Sequence, residues 1–382
     1  IIYGVNCLAS SSYSHFTYKE DIMMNTQRLE KVLKKMETEG LDQMIISDPY
    51  AIYYLTGRFI DPGERLLALY INQSGKNKIF INNLFTVPED LGVEKFRFSD
   101  TDDYLTPLCD CVEAGKPLGI DKTFAARFLI PVIDHSGASS YKVSSICVDE
   151  VRACKDDEER EKMRAVSAIN DKAMAQFRGL IHEGVTEEEI ASKMLDIYKS
   201  LGADGYSFEP LVGFGANCAL GHHGPDNTVL KEGDTVLFDV GCRKDGYCAD
   251  MTRTFFYKKV PSEKHRAIYE TVRRANAAAE AILKPGVPLC EVDKAARQII
   301  EDAGYGPNFT HRLGHFIGLE VHEYGDVSSA NTKVAEVGNI FSIEPGIYVE
   351  GEVGVRIEDL VLITEDGCEI LNSFSKELDI VE

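Results

Sequence analysis

The sequence predicts a two-domain chain of the α/β (α+β) class, on three observations. Its 382 residues, 44% of them hydrophobic, suffice for more than one core. An amphipathic helix followed by several strand-like runs occupies residues 23–150. Beyond them, an order of two helices, a histidine segment and an acid-bearing hairpin occurs twice.

Residues 1–22 do not begin with Met and lack the basic flank and length of a signal peptide, so Met23 or Met24 is the expected start and 1–22 an extension without order. From Thr26, the apolar positions Leu29, Val32, Leu33 and Met36 follow helical spacing, and Gly40 ends the helix. Strand-like runs follow at 43–47, 66–71 and 78–81, with a β-rich stretch at 141–147. These make a small N-terminal domain over 23–150, without a dense set of metal-ligand residues. The charged run at 156–162 opens a long helix with Met163, Val166, Ile169, Ala173 and Phe177 on its buried side, and marks the start of the second domain, 151–382.

Within that domain the Gly184-Val185-Thr186 start recurs as Gly286-Val287-Pro288, and Gly202 recurs as Gly304. The apolar positions coincide: Ile190 with Val292, Met194 with Ala296, Ile197 with Ile299, Tyr198 with Ile300. A longer helix precedes each, at 157–181 and 262–283. Such a duplication packs about a pseudo-twofold axis and brings the equivalent hairpins to one centre.

The first hairpin, 233–257, turns near Lys244-Asp245-Gly246 and carries Asp239 and Asp250 in apolar strand contexts. A turn centred on 244 and 245 sets the two acids directly opposite, at roughly 5 Å between Cβ atoms; one centred on 245 and 246 leaves them diagonal on one face. Either way they converge, and two buried like charges need a proton or a cation between them. The second hairpin, 339–349 and 353–363, carries Glu344 and Glu358. Alternation puts Val355, Ile357, Val361 and Ile363 on one face and Arg356, Glu358, Leu360 and Leu362 on the other. Of nine histidines, five lie in two glycine-rich segments, as His222, His223, His311, His315 and His322. Position 326 is Asp, so the H-E-x-x-H zinc pattern is absent at His322. Four carboxylates with imidazole form an oxygen-rich site for two divalent ions, and the reaction class is metal-assisted hydrolysis.

A net charge of −21 argues against nucleic-acid and anionic-membrane surfaces, and no run is long and apolar enough to span a bilayer. The ten cysteines show no metal-knuckle spacing and read as reduced thiols of a cytoplasmic protein.

Asp239, Asp250, His315, Glu344 and Glu358, in the settings Phe-Asp-Val-Gly, Ala-Asp-Met-Thr-Arg-Thr, Gly-His-Phe-Ile-Gly, Glu-Pro-Gly-Ile-Tyr and Val-Arg-Ile-Glu-Asp, resemble the ligands of the pita-bread metallopeptidases, in particular the Xaa-Pro branch of prolidase and aminopeptidase P. Residues 41–49 and 53–57 are similar to the creatinase-like N-domain. The resemblance implies a creatinase-like N-terminal α/β domain and a C-terminal pita-bread domain with a pseudo-twofold repeat. It implies one ion on Asp250, His315, Glu344 and Glu358 and a second on Asp239, Asp250 and Glu358. The carboxylate-rich set favours manganese, with cobalt and zinc as alternatives. Glu344 is then also a general acid/base, His222 and His322 steady the scissile amide, and His311 and Arg356 line the substrate side. Gly221 stands where the family has proline, which leaves His223 as the alternative to His222. The implied substrates are short proline-containing peptides, the implied assembly a homodimer. The activity is Xaa-Pro dipeptidase first and aminopeptidase P second. Rival members of the fold are metal-free creatinase, non-catalytic binding modules and methionine aminopeptidase. Retention of all five ligands counts against the first two, and the N-domain and the Val-Arg-Ile-Glu context against the third.

Overall fold

A computed structural model describes residues 23–221 and 223–382; residues 1–22 and His222 lie outside the described residues. The described chain forms two compact units, one ending at Arg152 and the other running from Ala153 to Glu382.

The first unit contains α1 (Thr26–Thr38), β1 (Gln43–Ile46), α2 (Pro49–Thr56), β2 (Leu67–Asn72), β3 (Lys78–Asn82), β4 (Glu94–Phe98), α3 (Leu105–Cys111), β5 (Pro117–Ile120), α4 (Ala126–His135), β6 (Ser140–Val143) and α5 (Ile146–Ala153). Its strands form one sheet in the order β4-β3-β2-β1-β5-β6, antiparallel in the β3-β2-β1 meander and parallel toward both edges. Asn25 caps α1 through the Arg28 N–H, and the helix buries Val32 and Met36 as its spacing requires. The expected β-rich stretch at 141–147 is only half strand. The chain leaves β6 at Ser144, the Ser145 carbonyl accepts the Asp149 N–H at 2.8 Å, and α5 begins. Ser145 is fixed there by donating to Asp121 Oδ1, a tertiary contact that local propensity cannot anticipate.

The second unit opens with α6 (Asp157–Arg178) and α7 (Glu187–Ser200), both started by capping boxes, at Asp156 with Glu159 and at Thr186 with Glu189. Strands β7 (Gly205–Tyr206), β8 (Leu211–Phe214), β9 (Thr235–Val240), β10 (Cys242–Lys244), β11 (Tyr247–Cys248) and β12 (Met251–Tyr257) follow. The pattern then recurs as α8 (Glu263–Ile282), α9 (Leu289–Asp302), β13 (Gly314–Phe316), β14 (Glu323–Val327), β15 (Ile340–Ile343), β16 (Gly346–Val349), β17 (Val353–Arg356) and β18 (Asp359–Ile363), before β19 (Cys368–Ile370) and β20 (Ile380–Val381). Helices α7 and α9 have 14 residues each, and single bridges at Thr186 to Val229 and Pro288 to Val334 precede them equivalently. Sheet order β8-β9-β12 in the first half matches β13-β15-β18 in the second. Val355, Ile357, Val361 and Ile363 join Val272, Ala275, Val292 and Ala296 in one core, so the other face of the second hairpin is left to Arg356 and Glu358.

Candidate metal centre and active site

The first hairpin settles its own register at the turn. Asp245 and Gly246 both have positive φ, 49° and 85°, as a two-residue type I′ turn demands, and Arg243 then faces Cys248. The same register carries down to Asp239 facing Thr252, so Asp239 and Asp250 are the diagonal pair. The hairpin is not continuous, however: the ladder breaks at Gly241 and at Ala249-Asp250. A Cβ on Gly241 would lie 2.1 Å from the Ala249 carbonyl oxygen, so the backbones close up beside Asp250 in a way only glycine permits. In the second hairpin Ile343 faces Asp359 and Gly346 faces Arg356, which sets Glu344 directly across from Glu358. Its ladder also breaks at the acids.

His315 joins this group from β13. Its N–H donates to Ser342 Oγ at 3.0 Å, and its Nδ1 lies 3.3 Å from the Phe316 carbonyl oxygen. That leaves Nε2 turned to the acids, 3.5 Å from Asp250 Oδ2 and 3.6 Å from Glu344 Oε1. Asp250, His315 and Glu358 are buried and bring ligand atoms within 4.8 Å of one another. Burial, and then the charges of neighbouring acids, raises the carboxyls of Asp250 and Glu358 well above the ordinary range. Among the described residues, the buried Oδ1 atoms of both Asp239 and Asp250 have no hydrogen-bond partner. Orphaned acceptors, acids pushed toward protonation and an imidazole aimed among them are the donor set a divalent cation would satisfy.

Three residues that sequence reasoning passed over hold the set in place. Thr252 Oγ1 donates to Glu358 Oε2 at 2.7 Å and accepts from Arg356 Nε at 3.0 Å. Ser342 Oγ donates to Glu344 Oε1 at 3.1 Å. Each lies two positions from an acid on the same strand face, so alternation was the available signal. Tyr348 is the third: its hydroxyl accepts from Arg356 Nη1 at 2.9 Å and meets His311 Nε2 at 2.9 Å. Since His311 Nδ1 donates to the Arg312 carbonyl at 2.7 Å, Nε2 is the acceptor of the tyrosine proton, and burial keeps this imidazole neutral.

The guanidinium of Arg356 is committed, with Nη2 on Asp239 Oδ2 at 2.6 Å, Nη1 on Tyr348 and Nε on Thr252. Its strongest tie is to the Asp239 carboxylate, and all three of its nitrogens meet protein acceptors. His322 packs edge-on to His315, with ring centroids 4.3 Å apart at 84°, and burial, then the charges of His315 and Arg312, lowers its pKa to about 4. His222 lies outside the described residues. His223 is taken by Glu187, Nε2 to Oε2 at 2.5 Å. Glu187 also accepts from the N–H groups of Phe214 and Asp226 and from Asn217 Nδ2, so this second His/Asp/Glu group is saturated by protein donors.

Residues 161–365 match the profile of Metallopeptidase family M24, and residues 28–154 match the Creatinase/Prolidase N-terminal domain. An uncharacterized peptidase of Staphylococcus saprophyticus is 37% identical, over 91% of this chain and 100% of that protein. Among solved structures, a dipeptidase from Pyrococcus horikoshii superposes with a TM-score of 0.86 at 34% identity, covering 93% of this chain and 100% of that one. The prolidase from the same organism gives 0.83 at 30% identity, covering 92% and 99%.

Proposed function

The chain belongs to metallopeptidase family M24, and from that premise we propose that it hydrolyses the Xaa-Pro bond at the N-terminus of short peptides, first of all as an Xaa-Pro dipeptidase. The observation that carries the reading is the convergence of Asp250, His315 and Glu358 on one point, with Glu344 beside His315 and oxygens on Asp239 and Asp250 that lack a partner among the described residues. Asp250, His315, Glu344 and Glu358 would hold one divalent ion, and Asp239, Asp250 and Glu358 a second, with manganese favoured by the oxygen-rich donors over cobalt or zinc. When bound, such a pair polarises a carbonyl and lowers the pKa of a bound water. Glu344 is the least enclosed of the His315-facing acids, with 16% of its side chain exposed against 5% for Asp250, so it is the acid able to hold and pass a proton during amide cleavage. His322, neutral above about pH 4, serves as a hydrogen-bonding imidazole toward substrate, and His222 is assigned to the same task. No helix among the described residues is long and apolar enough to cross a membrane. A homodimer in the cytoplasm completes the reading.

Aminopeptidase P is the second reading, and the commitment of Arg356 to Asp239, Tyr348 and Thr252 favours it, because a dipeptidase needs a cation or imidazolium for the proline carboxylate. The test is kcat/KM for an Xaa-Pro dipeptide against the same peptide extended by one residue or amidated. The dipeptidase reading requires a clear fall on extension; an equal or higher value makes aminopeptidase P the activity.

A further inference from the structure

Beneath the turn that carries His322 lies a buried ion pair that the metal site does not use. Lys155 Nζ meets Glu323 Oε2 at 2.8 Å, with only 1% and 4% of the two side chains exposed. The other carboxylate oxygen accepts the Leu319 N–H at 2.9 Å, so Glu323 folds back under the very turn it ends. Packing there is tight: a Cβ on Gly318 would lie 2.8 Å from Glu323 Oε1 and 2.9 Å from Lys155 Cε. Both partners are anchored. The Lys155 N–H donates to the Gly338 carbonyl at 2.8 Å, and Glu323 pairs with Phe316, next to His315, across the β13–β14 hairpin. The Cys248 N–H, two residues before Asp250, donates to the Gly318 carbonyl at 2.8 Å and ties the same turn to the first hairpin.

Removing two charges from water costs as much as their attraction returns, so such a pair contributes little net stability and is better understood as fixing geometry. What it fixes is the residue before Glu323. We propose that Glu323, gripped by Lys155, is a positioning residue that sets the distance and angle of the His322 imidazole against His315. This rests on the reading that His322 faces substrate.

The test uses the metal-loaded full chain with the paired change Lys155→Met and Glu323→Gln. The glutamine carbonyl still accepts from Leu319, and the two charges of the pair are removed together. Expected are a fall in kcat of about 10- to 100-fold with KM within about twofold, unchanged metal content, and less than a twofold effect when the same pair is placed in His322→Ala. Gly318→Ala, which keeps both charges and pushes on them, should give the same signature and decides the matter if the double variant does not fold. The ring signals of His322 in histidine-labelled protein, identified by their loss in His322→Ala, should shift in both variants whether or not any peptide is cleaved. That separates failure of this proposal from failure of the Xaa-Pro assignment. An equal loss of kcat in the His322→Ala background, loss of metal, or unshifted ring signals with full activity would each overturn it.

Discussion

At Asp250 the chemistry is most exacting: its carboxyl is buried, raised well above the usual carboxylate range by that burial, and one oxygen has no partner among the described residues. Asp250→Asn should therefore purify with little or no metal. His322→Ala should retain metal yet lose turnover by about 10²- to 10³-fold, the magnitude of removing one transition-state hydrogen-bonding group. Metal analysis beside kcat decides this, and a metal-free His322→Ala protein would show that His322 is a ligand. With its pKa near 4, His322 should contribute no titration limb to kcat between about pH 5 and 9. Thr252→Val is a sharper case. It keeps the shape but removes the hydroxyl that both donates to Glu358 and receives Arg356. Metal affinity should fall by about 10- to 100-fold, measured by competition with a chelating dye. Unchanged affinity would mean that Glu358 orients itself.

Among the elements, the two hairpins and the two 14-residue helices were legible because their signals are local: bounding glycines, helical apolar spacing and strand alternation act over a few positions. Turn parity limited Asp239 and Asp250 to an opposed or a diagonal pairing, and positive φ at both Asp245 and Gly246 decides for the diagonal. The interruption of each ladder at its acids was not legible; in the first hairpin Ser207, far off in sequence, donates there to the Gly241 and Ala249 carbonyls. Nor was the capture of Arg356 by Asp239 and Tyr348, which brings three segments together. Helix α4, with Pro131 inside it, drew no reading from the sequence, and the contact of His223, the alternative to His222, with Glu187 spans 36 residues. Gly241 supplies the test at this scale. Gly241→Ala forces a carbon into the Ala249 carbonyl and should cost about 1–3 kcal/mol of stability while weakening metal binding. A thermal melt with unchanged Tm and full metal content would show that the hairpin bends freely there.

For the whole molecule, the buried acids couple metal, protons and stability. Because burial raises the Asp250 and Glu358 carboxyls above their ordinary values of 3.8 and 4.5, the metal-free folded chain holds protons that the unfolded chain releases. Their contribution to metal-free stability therefore declines as pH rises out of the ordinary carboxylate range. A bound cation reverses this by favouring the ionised forms, so metal uptake should release protons, and the gain in Tm on loading should grow from about pH 5 to pH 8. A gain that shrinks with pH would place the ions elsewhere. The central claim, that two divalent ions held by these five residues cleave an Xaa-Pro bond, is tested most directly by stripping the chain with a chelator and titrating Mn²⁺ back while recording the initial rate on an Xaa-Pro dipeptide. The account predicts no turnover without metal and a rate that reaches its plateau only at the second equivalent per chain. Full activity in the stripped protein, or no Xaa-Pro cleavage at any metal loading, would contradict it.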